Sequence, residues 1–163
     1  MKILKAQAEA KLLLCSSLIA AAASHCQMLG YHSEMSYRND QPRKSNDKRR
    51  VFWILYVFDK SFSLLLGHAS KIQDFEVDVQ YPPLSTDPGV RPWEDIFILY
   101  VRMARIQGQI YSRLYSPAGV KAQQSERLQC ISDLKAAMEQ WRVDLSQACA
   151  TLYIPHHQLT RSY

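Results

Sequence analysis

Apolar residues recur through most of the chain at steps of three and four, the spacing that lines one face of an α-helix. Residues 3–29 read as one helix dominated by Ala and Leu, expected to be a buried core helix that Gly30 ends. Tyr31 to Asp47 is polar, contains Pro42 and carries no period, so it reads as a loop in which Asn46 or Asp47 caps the next helix. The second helix is expected from about Lys48 to Leu66, with Gly67 as its stop. Phe52, Leu55, Tyr56, Phe62 and Leu66 share one face and Trp53, Val57 and Leu64 fill much of the rest, which predicts a central rod enclosed by its neighbours.

The helical period breaks at residues 70–92. Ile72 to Val79 alternates, placing Phe75, Val77 and Val79 on one side and Asp74, Glu76 and Asp78 on the other. Pro82, Pro83, Pro88 and Pro92 keep the remainder irregular. A third helix opens near Trp93 and ends around Tyr115, with Ile96, Leu99, Met103, Ile106 and Ile110 as its seam and Gly108 at a close crossing. Ser116-Pro117-Ala118-Gly119 interrupts the chain. A fourth helix, about Gln123 to Ala150, carries Leu128, Ile131, Leu134, Met138, Trp141 and Leu145, and the last dozen residues with Pro155 read as a frayed end or a short terminal piece. The fold class is all-α: a multi-helix, orthogonal or bundle-like domain with one extended irregular segment at about 70–92.

Composition narrows the class without naming a function. With 47% hydrophobic and 21% charged residues in a length of 163, one core is expected over residues 1–163 and disorder is excluded. Twenty Lys and Arg against fifteen Asp and Glu give a net charge of +5. Part of the excess is local, in Arg38, Arg43, Lys44, Lys48, Arg49 and Arg50, which read as a solvated loop running into a helix start, with a nuclear-import or acidic-partner patch as the alternative.

Candidate chemistry is sparse. Cys15, Cys26, Cys130 and Cys149 form no Cys-x-x-Cys pair, and Cys15 and Cys26 lie roughly 16 Å apart along one helix, too far to bridge. Reduced thiols of an intracellular protein are expected. His25, Cys26 and His32, and the pair His156-His157, do not supply four convergent metal ligands. Asp74, Glu76 and Asp78 fail as a calcium loop, because Val79 stands where the turn glycine belongs and Ser85 where the bidentate glutamate belongs. No phosphate-binding glycine loop, nucleophile elbow or zinc-protease helix is present, so no enzyme is predicted. Asp59 interrupts an apolar stretch with no catalytic partner in view and is expected in a structural ion pair. Lys2, Lys5 and the uncharged run 12–23 support an alternative, a small secreted helical protein whose leader of about residues 1–23 is removed; Glu9 and Lys11 oppose it. The run is too short to span a bilayer.

The stretch Lys48-Arg49-Arg50-Val51-Phe52-Trp53-Ile54-Leu55-Tyr56-Val57-Phe58-Asp59-Lys60 resembles the fungal-specific transcription factor domain, the middle homology region of binuclear-zinc-cluster regulators. That pattern is a basic pair, Phe-Trp, a Tyr, an Asp followed by a basic residue, an apolar stretch and Gly-Arg-Pro. Ser61 to Gly67 continues it, and Ile72, Asp78-Val79 and Pro82 fit the extended segment that follows. Leu29-Gly30-Tyr31-His32 is similar to the helix end upstream, and Arg105 to Ser116 and Leu134 to Trp141 match more loosely. His68-Ala69 replaces the Arg-Pro pair. The motif positions of the resemblance are Arg50, Phe52, Trp53, Asp59, Gly67, Asp78 and Pro82, expected to be structural.

The resemblance covers about residues 12–150 and implies an all-helical regulatory domain of a nuclear, DNA-bound transcription factor controlling RNA polymerase II transcription. It implies protein partners in the transcription machinery, a homodimer and a small-molecule effector, without a membrane. DNA is read in such proteins by a six-cysteine zinc cluster. This chain carries no such cluster, so zinc and base contacts belong to the family and no cofactor is expected in this chain, which reads as a partial member.

Overall fold

Proline decides where the second helix begins. The computed structural model describes the backbone of residues 2–152 and the side chains from residue 11 onward, and in it α2 runs from Pro42 to Leu66. Pro42 takes the first helical position, where a missing N–H is no loss and a φ near about −65° is already helical. The expected start at Lys48 is therefore too late. Asn46 and Asp47 lie inside the helix, and Gln41 precedes it with no side-chain cap bond.

The other elements follow the apolar spacing more closely. They are α1 (Lys2–Met28), α3 (Arg91–Ile110), α4 (Pro117–Lys121) and α5 (Gln124–Leu152). One-turn 3-10 helices occupy Glu34–Tyr37 and Asp74–Glu76, and a π-helical turn, Tyr111–Tyr115, extends α3 to its expected end. Among the described residues there is no strand. The terminal piece with Pro155 and the His156-His157 pair lie outside the described residues. Both α1 and α2 stop at a glycine in the left-handed region, Gly30 at φ 74° and Gly67 at φ 73°. The amides of Tyr31 and His68 then turn back onto the carbonyls of Cys26 and Ser63. The break at Ser116–Gly119 proves to be the first turn of α4: the Ser116 hydroxyl receives the Gly119 N–H at 3.0 Å.

The packing order is α1, α2, α3, α5. Phe52, Trp53 and Tyr56 of α2, Val101 and Ala104 of α3 and Ala23 of α1 meet Ile72 and Val79 in the main core. On the opposite face of α3, Ile106 joins Cys130 and Leu134 of α5 in a second core, with Met103 and Trp141 against it. Of the expected α3 seam, Leu99 and Ile106 are buried and Met103 and Ile110 pack against the second core, while Ile96 is half-buried.

Three burial expectations are corrected. In α1 only Ala23 and Cys26 are buried among the described side chains, while Leu13, Leu14 and Leu18 face solvent, so this is a surface helix docked by its C-terminal end. α2 buries Phe52, Trp53 and Tyr56, but Val51, Ile54, Phe58 and Leu65 form an open stripe down its other side. On α5 the inward stripe is Cys130, Leu134, Ala137 and Trp141. Leu128, Ile131 and Met138 are exposed instead, and Ile131 and Met138 line an open apolar groove of about 540 Å³ against α3.

Candidate functional site

The irregular segment from Ser70 to Pro82 is extended backbone without a sheet, so its amides and carbonyls must find partners one by one. α2 supplies several of them. Asp59 is buried, and its carboxylate accepts the N–H of Lys71 at 3.0 Å and of Ile72 at 2.8 Å. Among the described residues Asp59 forms no ion pair of the kind expected: two backbone amides stabilise the charge in its place. The next residue, Lys60, donates to the Ile72 carbonyl at 2.7 Å, the Ser70 hydroxyl at 3.0 Å and the Asp74 carboxylate at 2.9 Å. All three ammonium hydrogens are used.

One turn earlier, the Tyr56 hydroxyl donates to the same Asp74 oxygen at 2.7 Å. Burial, reinforced by the Asp74 carboxylate, pushes the Tyr56 phenol well above its ordinary range, so it stays a donor. The Trp53 indole N–H donates to the Gln80 carbonyl at 3.0 Å, and its ring packs 4.8 Å from that of Tyr81. Phe52 sits edge-on to Trp53 at 5.2 Å. These aromatic contacts hold the segment against α2.

The expected alternation of Ile72 to Val79 is broken by the turn at Asp74–Glu76. Ile72 and Val79 are buried, but Phe75 is rotated outward and is 85% exposed. Nor do the three acids form a solvated face. Asp74 is held as described, Glu76 accepts from the Gln27 amide at 3.0 Å, and Asp78 accepts the Glu34 N–H at 2.8 Å. The His32 carbonyl in turn receives the amides of Asp78 and Val79 at 3.2 Å each, and Glu34 accepts the Gln80 N–H at 3.0 Å. The segment is laced to the end of α1 as firmly as to α2.

The basic run is solvated only in part: Arg38, Arg43 and Lys44 are exposed, but from Arg43 on it lies within α2 and its last three residues are paired. Lys48 pairs with Asp40, Arg49 with Glu34, and Arg50 with Glu94 of α3. The Arg49 guanidinium also stacks 4.6 Å from the centre of the Tyr37 ring, and burial pushes that phenol up to about 12 despite the cation. Glu94 is buried and held below the usual carboxylate range by the Ser85 N–H and by Arg50. Pro82 is buried and borders a small cavity with Arg50, Glu94 and Phe97. Gly67 stands apart from this network as the α2 stop, and the His68 ring that follows it lies 3.3 Å from the Ser16 hydroxyl of α1.

Six of the seven motif positions, Arg50, Phe52, Trp53, Asp59, Asp78 and Pro82, thus gather where α2 meets the irregular segment. The partners Glu34, Asp74 and Glu94 were not predicted as site residues. Only the motif around them, and no local pattern of their own, pointed to the region. Cys15 is exposed and Cys26 and Cys130 are buried, with all three thiols free. No three His, Cys, Asp or Glu residues converge among the described residues. Among the described residues no helix is long and apolar enough to cross a membrane.

An aromatic helix thus clamps an extended segment through the pair Asp59-Lys60, a structural arrangement. Residues 6–143 match the fungal-specific transcription factor domain, and the chain belongs to that family. It is 30% identical over 156 residues to an ABC-transporter-regulating transcription factor of Aspergillus oryzae, covering 90% of this chain and 17% of that protein. A transcriptional regulatory protein of Schizosaccharomyces pombe is 30% identical over 81% of this chain and 21% of its own length. The Fusaridione A cluster transcription factor of Fusarium heterosporum is 26% identical over 90% of this chain and 29% of its own length. The chain therefore spans less than a third of these relatives. No solved structure matches it.

Proposed function

We propose that this chain is the regulatory domain of a fungal regulator of RNA polymerase II transcription, working in the nucleus through protein contacts and without catalysis. The family match over residues 6–143 carries this reading, and it takes in most of the stretch that the secreted alternative would remove as a leader. The polar groups of the site support it: the carboxylates and cations of α2 are spent on backbone amides and on one another, a scaffold and not a reacting centre. DNA reading and zinc belong to a cluster outside this chain, and the domain acts on the transcription machinery as part of a homodimer whose output an effector adjusts.

The test is a reporter assay. The chain is fused to a heterologous DNA-binding domain in a fungal host, beside the DNA-binding domain alone and a fusion carrying Phe52→Asp. The intact fusion is expected to shift reporter output, up or down, and the core-disrupted fusion to lose the shift. Equal output from all three at equal protein levels sinks the proposal. The chain alone is expected to bind DNA only weakly and through salt-sensitive phosphate contacts, since its cations are scattered and partly paired.

A further inference from the structure

Asp74 is held by two donors that belong to the core. The Lys60 side chain is 3% exposed and Tyr56 fully buried, whereas Asp74 is 37% exposed. The donors are fixed by α2. The acceptor rides on a single turn of 3-10 helix at the surface. Neither donor is open to solvent while Asp74 is in place, so a carboxylate meets the same ammonium and hydroxyl only by taking the position of Asp74.

A cleft of about 380 Å³ opens beside this pair, within the size range of small-ligand sites. Lys60, Asp74, Phe75, Gly108, Tyr111 and Ser112 line it, the last two from the π-helical turn. Gly108 leaves room for the Lys60 side chain: a Cβ there would stand 3.0 Å from Lys60 Cδ. Phe75 is an aromatic ring left in water at the rim, against the alternation of its neighbours. Lys60 and Asp74 are the charged residues that line the cleft, with Arg105 beside Tyr56 and Asp59 on the amides of Lys71 and Ile72 behind them. Asp59 is committed to two amides, so moving Asp74 away leaves an excess of positive charge.

We infer that this cleft binds a small aromatic carboxylate, whose carboxyl group replaces Asp74 on Lys60 and Tyr56 and whose ring lies between Phe75 and Tyr111. Asp74 is then the occupant in cis. Its displacement frees the turn at Asp74–Glu76, which Lys60 and Gln27 otherwise tie to α2 and α1. No bond is made or broken. One carboxylate exchanges for another. A tethered competitor lowers apparent affinity, so the ligand binds the parent chain weakly.

The experiment titrates benzoate, with benzamide as the neutral control, into the full 163-residue chain and its Asp74→Asn variant, followed by heteronuclear NMR. Benzoate is expected to bind the variant roughly tenfold tighter than the parent chain, because a neutral amide competes poorly for the ammonium, and benzamide is expected to bind neither. Adding Tyr56→Phe to the Asp74→Asn chain weakens benzoate severalfold. Equal affinity of benzoate for parent and variant, equal binding of benzamide, or no benzoate binding by the variant at about 10 mM overturns the inference. Phe75→Ala, at an exposed position, covers the case in which Asp74→Asn does not fold: it is expected to weaken benzoate binding to the parent chain severalfold, and unchanged affinity overturns the inference. These outcomes are independent of the reporter assay, so failure of either leaves the other standing.

Discussion

Asp59 and Lys60, neighbours on α2, hold the two sides of a single residue: Asp59 receives the N–H of Ile72 and Lys60 donates to its carbonyl. Neighbours on a helix point about 100° apart, so both reach one residue only because the segment passes across the helix face between them. Ile72 is itself fully buried. The clamp thus fixes the register of the whole stretch that the Trp53 and Tyr56 contacts then continue.

Removing the acceptor should cost more than removing a surface charge. Asp59→Ala leaves the amides of Lys71 and Ile72 without their partner, and Asp59→Asn keeps one neutral acceptor. The expected losses are about 2–4 kcal/mol for Ala and roughly half that for Asn, read from urea unfolding midpoints at constant slope. A loss below about 0.5 kcal/mol for Ala would mean that the clamp contributes nothing to the fold.

Two glycines separate backbone strain from collision. Gly67 sits at φ 73° with nothing within 4 Å of an added Cβ, so Gly67→Ala costs only the left-handed conformation, about 1 kcal/mol. At Gly119 an added Cβ would stand 2.5 Å from the Arg113 carbonyl oxygen, a backbone atom that cannot swing away. Gly119→Ala should therefore lower the thermal midpoint well beyond Gly67→Ala, and the reverse order would refute the close approach of α4 to the π-helical turn.

Acid should loosen the contact between α2 and α3. Glu94 is held below the usual carboxylate range by the Ser85 amide and then by Arg50, and Asp40 is held low chiefly by Lys48. A depressed pKa means that the unfolded chain binds the proton first as pH falls, so the contribution is full above about pH 5 and is lost as pH drops through the folded values. Glu94→Gln should be less stable than the parent at pH 7, with the difference shrinking as pH falls below about 4. A pH-independent difference in denaturation midpoints would count against the pair.

The α3 seam could be read in the sequence because its partners are side chains at a helical period. Asp59 could not, since its partners are backbone amides, which leave no mark in residue type. Arg50 and Glu94 are joined across 44 residues of sequence, and neither position alone announces the other. The outward turn of Phe75 was hidden as well: alternation assumes an extended strand, and one 3-10 turn at Asp74–Glu76 rotates the side chain to the opposite face. The start of α2 is legible in Pro42 itself, because at the first helical position the fixed φ of proline favours a helix and its power to break one does not apply.

The exposed stripe of α2 gives the sharpest contrast within one helix. Apolar composition all round made Val51, Ile54, Phe58 and Leu65 look as buried as Phe52, yet Phe52 has no exposure and Phe58 is 49% exposed. Truncating a buried Phe removes its transfer energy and leaves a cavity, so Phe52→Ala should cost about 3–5 kcal/mol. Phe58 is already half in water and leaves no closed void, so Phe58→Ala should cost about 1 kcal/mol or less. Comparing the two variants by chemical denaturation tests whether the stripe is open in the isolated chain. Equal losses would show that something covers Phe58 in solution, and light scattering of the same samples would tell whether the cover is a second copy of the chain.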